Sequence, residues 1–271
     1  MAQVELKREG AIAYREAVPT QPTGDPVLLI HGFPQSSYMW RHLLPVIADA
    51  GRRAIAPDLM GYGDSPPDRP ATWERHVEAL ERFRQDLGLQ RLVLVNHDWG
   101  GLISMRWALD CSVPLSGLVV SNTGFFPDGE WHGMTAAMRA EGQGEALMDS
   151  VSREGLAAML GQMGSGFDDS AVEEYWKGFA TEEGRRGILE LYRSGDFEKL
   201  RPYEGRLAAL GVPTLVLWGE DDDYAPVERA YRFGREIPAA KLVIVEGAGH
   251  FVWEDDPERC SREIIAFLAD A

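Results

Sequence analysis

Leu92-Val93-Leu94-Val95-Asn96-His97-Asp98-Trp99-Gly100-Gly101 decides the fold. Four apolar, β-prone residues lead through Asn96 and His97 to Asp98, and small residues then open a helical pattern over 101–110. A short, fully apolar run is what a parallel strand covered by helices on both faces requires. A strand that turns straight into a helix at glycines has the form of a nucleophile elbow, whose strained turn projects one side chain over the strand end. Here that side chain is the Asp98 carboxylate. A helix N-terminus favours negative charge at this point, and Gly100 and Gly101 let the helix lie close to the sheet. An aspartate that merely caps a helix reads the same way in isolation, so the elbow must be judged by its partners.

Runs like this one recur at Val27–Ile30, 54–56, 117–121, 215–218 and 242–245, and an opening hairpin, 4–6 and 12–14, flanks a turn at Glu9-Gly10. Helical patterns at 38–50, 73–87, 101–110, 227–237 and 257–268 fall between the later runs. This alternation predicts an α/β chain with a doubly wound, mostly parallel, eight-stranded sheet. It breaks between about Gly124 and Leu210, where Gly- and Met-rich helical patterns at 134–140, 155–163, 171–179 and 183–191 follow one another without a strand. The predicted organisation is a core of 1–123 and 211–271 with a helical cap, 124–210, inserted after the sixth strand. No internal repeat or low-complexity segment interrupts it.

Three further motifs supply what an elbow nucleophile needs. His31-Gly32-Phe33-Pro34 follows the strand Val27–Ile30, where the loop contributes one oxyanion-hole N–H, from Phe33; the second comes from Trp99, next after the nucleophile. In Gly219-Glu220-Asp221-Asp222-Asp223-Tyr224-Ala225-Pro226, the Gly-x-x-Asp-x-x-x-Pro spacing selects Asp222 as the acid at a strand end, its acidic neighbours being a solvated turn. Glu246-Gly247-Ala248-Gly249-His250-Phe251 places His250 in a Gly-rich loop after the last strand, where a base reaches the elbow. The pocket is expected to be lined by His31, Pro34 and Phe251 from these loops, with Trp131 from the cap.

The chain resembles, from about Pro26 to Ala271, the carboxylate-nucleophile branch of the α/β-hydrolase superfamily, which holds epoxide hydrolases, haloalkane dehalogenases and fluoroacetate-type dehalogenases. The order Asp98, Asp222, His250 is that of the superfamily. A carboxylate attacking an acyl carbon would give an anhydride, whereas attack on an sp³ carbon gives an ordinary ester and expels a leaving group. His250 would then activate water to hydrolyse that ester, and Asp222 would orient the imidazole. No metal and no cofactor is expected.

Within the branch the leaving group decides. The form His31-Gly32-Phe33-Pro34 resembles epoxide hydrolases, and Leu191-Tyr192-Arg193-Ser194 resembles the segment carrying their ring-opening tyrosine. The resemblance implies Tyr192 as proton donor, with Tyr175 as a second candidate and core packing as the alternative role for each. The first expectation is therefore an epoxide hydrolase working through an Asp98 ester. The second is a haloalkane or haloacid dehalogenase, in which Trp99 and Trp131 would hold the halide; Trp131-His132 resembles the His-Trp pair of fluoroacetate dehalogenases. A non-catalytic small-molecule binder is the third. Asn96 departs from the usual glycine, no tyrosine stands early in the cap, and Asn122 occupies the acid position of one dehalogenase subgroup, which leaves Asp222 as the acid.

Composition narrows the partners. Forty-three acidic against 27 basic residues give a net charge of −16, which argues against nucleic acid or an anionic membrane. The expected partner is a small apolar epoxide or halogenated compound. Two cysteines, Cys111 and Cys260, sit in no metal-binding pattern and are expected to be free thiols. The N-terminus lacks a signal-peptide pattern and no run spans a membrane, so a cytoplasmic protein is expected.

Overall fold

The computed structural model describes residues 2–131 and 133–270. Eight strands form one sheet: β1 Val4–Glu9, β2 Ile12–Ala17, β3 Val27–Ile30, β4 Ala54–Pro57, β5 Leu92–His97, β6 Leu115–Ser121, β7 Thr214–Gly219 and β8 Lys241–Val245. Their order is β1-β2-β4-β3-β5-β6-β7-β8. The β1–β2 hairpin joins antiparallel, and every pair from β4–β3 onward is parallel. Strands β3 to β7 are buried throughout, as continuous apolar runs demand, while edge strand β8 exposes its first two residues, Lys241 and Leu242. The sheet is the doubly wound one expected.

Helices α1 Leu43–Asp49, α2 Trp73–Asp86 and α3 Trp99–Asp110 cover the first half of the sheet. The expected helix over 38–50 is instead a 3₁₀ turn, Ser37–Trp40, followed by α1. Pro45 explains the break: lacking an N–H, it is tolerated in the first turn of a helix and not in its interior. Between β6 and β7 come α4 Gly133–Arg139, α5 Gln143–Ser150, α6 Arg153–Met163, α7 Asp169–Trp176 and α8 Glu182–Ser194, then two 3₁₀ turns, with no strand among the described residues. This is the helical cap inserted after the sixth strand. Side-chain caps from Ser152, Asp168 and Thr181 fix the starts of α6, α7 and α8. Helix α5 has no counterpart in the sequence reading, because its two turns carry only a short apolar stripe. Helices α9 Glu228–Glu236, α10 Val252–Asp255 and α11 Pro257–Asp270 complete the core.

Cap and core meet over a buried polar knot. The Glu254 carboxylate, on α10, accepts hydrogen bonds from the Tyr175 hydroxyl of α7, from Gln35 and from Arg41, and Arg41 also reaches the Gly166 carbonyl. Burying a carboxylate is costly unless it is paired and hydrogen-bonded, and here it is both. Cys111 and Cys260 are free, the first exposed and the second buried. Among the described residues no helix is long and apolar enough to cross a membrane.

Candidate active site

Strand β5 ends at His97, and Asp98 follows with φ 50° and ψ −125°. A non-glycine residue held there costs about 1–3 kcal/mol and persists only where its surroundings fix it. Two glycines show how closely they do. A Cβ on Gly100 would lie 2.4 Å from the Ile30 and His31 carbonyl oxygens, and one on Gly32 would lie 2.3 Å from the Asp98 carboxylate. Thr123 donates its hydroxyl to the Asp98 carbonyl at 2.6 Å.

The Asp98 carboxylate accepts the Phe33 N–H at 2.7 Å, and the Trp99 N–H also acts on it. Both N–H groups expected for the oxyanion hole thus converge on this side chain. Burial pushes the Asp98 carboxyl up, but the neighbouring imidazole and N–H groups outweigh it and hold the group below the usual aspartate range. His250 Nε2 lies 3.6 Å from Asp98 Oδ2, and His250 Nδ1 lies 2.9 Å from Asp222 Oδ2.

Asp222 is 5% exposed, whereas Glu220, Asp221 and Asp223 are exposed, as a solvated turn requires. Its Oδ1 accepts the Tyr224 and Ala225 N–H groups at 2.8 Å, and its Oδ2 accepts the Asn122 amide at 2.8 Å. Asn122 follows β6 with φ 42°, a left-handed conformation that asparagine tolerates better than most residues. Burial draws the His250 imidazole down, yet the carboxylates of Asp222 and Asp98 overcome this and raise it to about 10. His97 hydrogen-bonds the His250 carbonyl through Nε2 at 2.8 Å, and burial lowers its own ring to about 4, so it serves as a neutral strut for the His250 loop.

A cavity of about 40 Å³ opens above this group, lined by Asp98, His250, Trp99, Trp131, Tyr192 and Arg229, among others. Trp99 and Trp131 stack at 5.5 Å with their planes 22° apart. The Tyr192 ring stands edge-on to Trp99 at 5.2 Å and to Phe33 at 5.3 Å. Burial and the Asp98 charge push the Tyr192 hydroxyl well above the ordinary phenol range, with the Trp99 indole acting in the opposite sense. Arg139 fixes this wall: its guanidinium lies over the Trp131 ring and donates to the Tyr192 and Gly195 carbonyls.

Four residues lie elsewhere than the sequence reading put them. Tyr175 gives its hydroxyl to Glu254 in the knot between cap and core and does not line the cavity. His31 is fully buried beneath the loop, where Nε2 accepts the Leu59 N–H and Nδ1 faces the Gly32 carbonyl, so it holds the loop's shape. Phe251 packs edge-on against His250 and Phe167. Pro34 is buried and is likewise absent from the lining. Of the expected pocket residues, Trp131 faces the cavity; His132, its expected companion, lies outside the described residues. Sequence reading missed Asn122 as a ligand of Asp222, and it missed Tyr224, Phe197 and Arg229 as walls. For Asn122 the signal was present, since an amide standing where an acid is otherwise found is well placed to bond one. Among the described residues no cluster of side chains could hold a metal ion.

Residues 25–257 match the family model described as alpha/beta hydrolase fold. Haloalkane dehalogenase 2 of Mycobacterium tuberculosis is 31% identical over 256 residues, covering 90% of this chain and 87% of that one. The crystal structure of a haloalkane dehalogenase from Bradyrhizobium elkani superposes with a TM-score of 0.85 at 25% identity, over 100% of this chain and 98% of that one. An epoxide hydrolase from Vigna radiata shares the fold, with a TM-score of 0.80 at 24% identity over 99% and 98% of the two chains. The chain belongs to the α/β hydrolase fold family and is a hydrolase of its haloalkane dehalogenase- and epoxide hydrolase-like branch.

Proposed function

We propose that this hydrolase cleaves the carbon–halogen bond of a short halogenated substrate through an ester on Asp98. The observation that carries the reading is the stacked Trp99–Trp131 pair, which walls the same small cavity as the Asp98 carboxylate. A departing halide needs N–H donors and positive ring edges, not a proton, and indoles are the side chains of this wall that carry both. The haloalkane dehalogenase relative favours the same reading. It puts the dehalogenase ahead of the epoxide hydrolase that the His-Gly-Phe-Pro and Leu-Tyr-Arg-Ser resemblances suggest.

In this reading an Asp98 oxygen attacks the halogen-bearing carbon, the carbon–halogen bond breaks, and the halide leaves with the bonding pair. The product is an alkyl ester of Asp98. His250 takes a proton from water as that water attacks the ester carbonyl, and the oxyanion collects the Phe33 and Trp99 N–H groups that now hold Asp98. Collapse releases the alcohol and regenerates the carboxylate. The net change consumes one water and yields alcohol, halide and a proton. Asp222, held by four donors, keeps Nδ1 of His250 protonated and aimed.

One observation favours the epoxide reading as a second. Tyr192 lines the cavity with Asp98, whose charge helps to hold the Tyr192 hydroxyl protonated, as a donor to an alkoxide would be. Short bromoalkanes and epoxides, scored for bromide and for diol, distinguish the two. Dehalogenation predicts bromide release that collapses in Trp131→Phe and survives in Tyr192→Phe. Diol formation without bromide release, lost in Tyr192→Phe, would reverse the order.

A further inference from the structure

Arg229 is the anomaly of the cavity. It lies in the first turn of α9, half-buried, and lines the catalytic cavity together with Asp98 and His250. Its guanidinium makes no hydrogen bond or ion pair among the described residues, whereas Arg232, one turn on, is bonded to Asp128 and Glu236. Partly buried charged donors are ordinarily satisfied. This one lies against Gly124, so closely that a Cβ there would stand 2.8 Å from Nη1.

The location adds a direction. Gly124, Glu130, Phe197 and Arg229 line the catalytic cavity and also a second pocket of about 390 Å³ outside it. Arg229 therefore stands on the wall that the two pockets share, one of which holds Asp98. The cavity itself, about 40 Å³, holds roughly three waters' worth of space at ~10–15 Å³ each, so a substrate of more than a few atoms seated on Asp98 extends beyond it, along a wall that includes Arg229. A neutral haloalkane has nothing to offer a guanidinium. An anionic one would be repelled by Asp98 in a chain of net charge −16, and a guanidinium on the shared wall offsets that repulsion.

Resting on the dehalogenase reading, we infer that Arg229 binds a carboxylate on the substrate, so that the preferred substrates are short haloalkanoates, turned into hydroxyalkanoates. Asp98 displaces the halide from the carbon at one end, while the planar guanidinium holds the carboxylate at the other. The carboxylate is not consumed. Water supplies the hydroxyl, and the halide and a proton leave as before.

The test compares bromide release from 3-bromopropanoate with that from its neutral counterpart, 3-bromopropanamide. The wild type is expected to have the higher kcat/KM for the acid. In Arg229→Gln the acid-to-amide ratio should fall by roughly tenfold to a hundredfold, mostly in KM, as loss of a charge-assisted bond implies. Arg229→Lys should recover part of the ratio. A wild-type ratio at or below one, or a ratio unmoved by Arg229→Gln, overturns the inference; the latter would leave Arg229 only offsetting Asp98 and Asp222. If neither compound releases bromide, the dehalogenase reading fails, and binding still decides on Arg229. Propanoate, titrated against the fluorescence of the cavity tryptophans, should quench the wild type saturably and Arg229→Gln more weakly. Absence of that difference overturns the inference. So does an Arg229-dependent response to sodium bromide without one to propanoate, which would assign the guanidinium to the departing halide.

Discussion

Esterification of Asp98 should itself switch His250 from acid form to base form. In the free protein the imidazole faces two carboxylates, Asp222 at 2.9 Å and Asp98 at 3.6 Å, with neutral His97 and the Tyr224 ring beside it and Arg229 across the cavity. Together these raise it to about 10, so at neutral pH it is an imidazolium and cannot accept a proton from water. Forming the ester removes the Asp98 charge. Two unit charges at this separation attract by about 4–5 kcal/mol at an effective dielectric near 20. The Asp98 side chain keeps 24% of its surface open to the cavity, so screening reduces this to about 3–4 kcal/mol, or roughly two to three pKa units. His250 then falls to roughly 7–8, where it works as a base at physiological pH. Asp98→Asn reproduces the neutral state in the same shape. Imidazole NMR titration, with His250 assigned by the resonance missing in His250→Gln, should place it two to three units lower in Asp98→Asn than in the wild type. A difference under about half a unit would refute the reasoning, since desolvation and Asp222 would then account for the whole perturbation.

Three other outcomes follow from the geometry. In His250→Gln, substrate should leave a stable alkyl adduct on Asp98, seen by intact-protein mass spectrometry, because attack needs only the carboxylate; an unmodified protein would mean that water attacks the substrate directly. The folded His250 lies above its unfolded value of about 6.5, so its stabilising contribution is complete below that pH and disappears as pH rises through about 10. The difference in Tm between the wild type and His250→Gln should accordingly narrow from pH 7 to pH 10. Tyr175→Phe should lower stability by about 1–3 kcal/mol in a urea titration, by taking a donor from buried Glu254, and should leave the bromide-to-diol preference where it was.

The sheet was readable because buried parallel strands need unbroken apolar runs, and β3 to β7 have them. The elbow was readable because its strain demands glycine at particular places. Asp98, Asp222 and His250 follow strand ends in an order that the winding of the sheet converts into proximity, and the structure brings them together. The cap resisted reading for the opposite reason. Its helices are short, and which of their aromatics face the cavity depends on how the cap docks. Tyr175 and Tyr192 look alike in sequence, yet one hydroxyl is committed to Glu254 and the other belongs to a ring that lines the catalytic cavity and feels the Asp98 charge. Arg229 carried no signal, since one arginine among many on an exposed helical pattern reads as surface. Its isolation becomes visible only when its neighbours are known to have partners and it, among the described residues, has no hydrogen bond or ion pair.

Asn122 and Asp222 stand just past the ends of neighbouring strands β6 and β7, joined by the 2.8 Å amide-to-carboxylate bond. Their pairing has an evolutionary consequence. A lineage that exchanged the two residues would keep one carboxylate and one amide beside the imidazole, and the sheet would not have to change. The order of the two steps matters. Losing Asp222 first leaves the imidazole without an acid, whereas gaining an aspartate at 122 first leaves two facing carboxylates, which at such a distance share a proton and present a single negative charge. Relocation of the acid is thus open by one path and closed by the other, and descendants with the acid on either strand are reachable from this arrangement by two substitutions taken in that sequence.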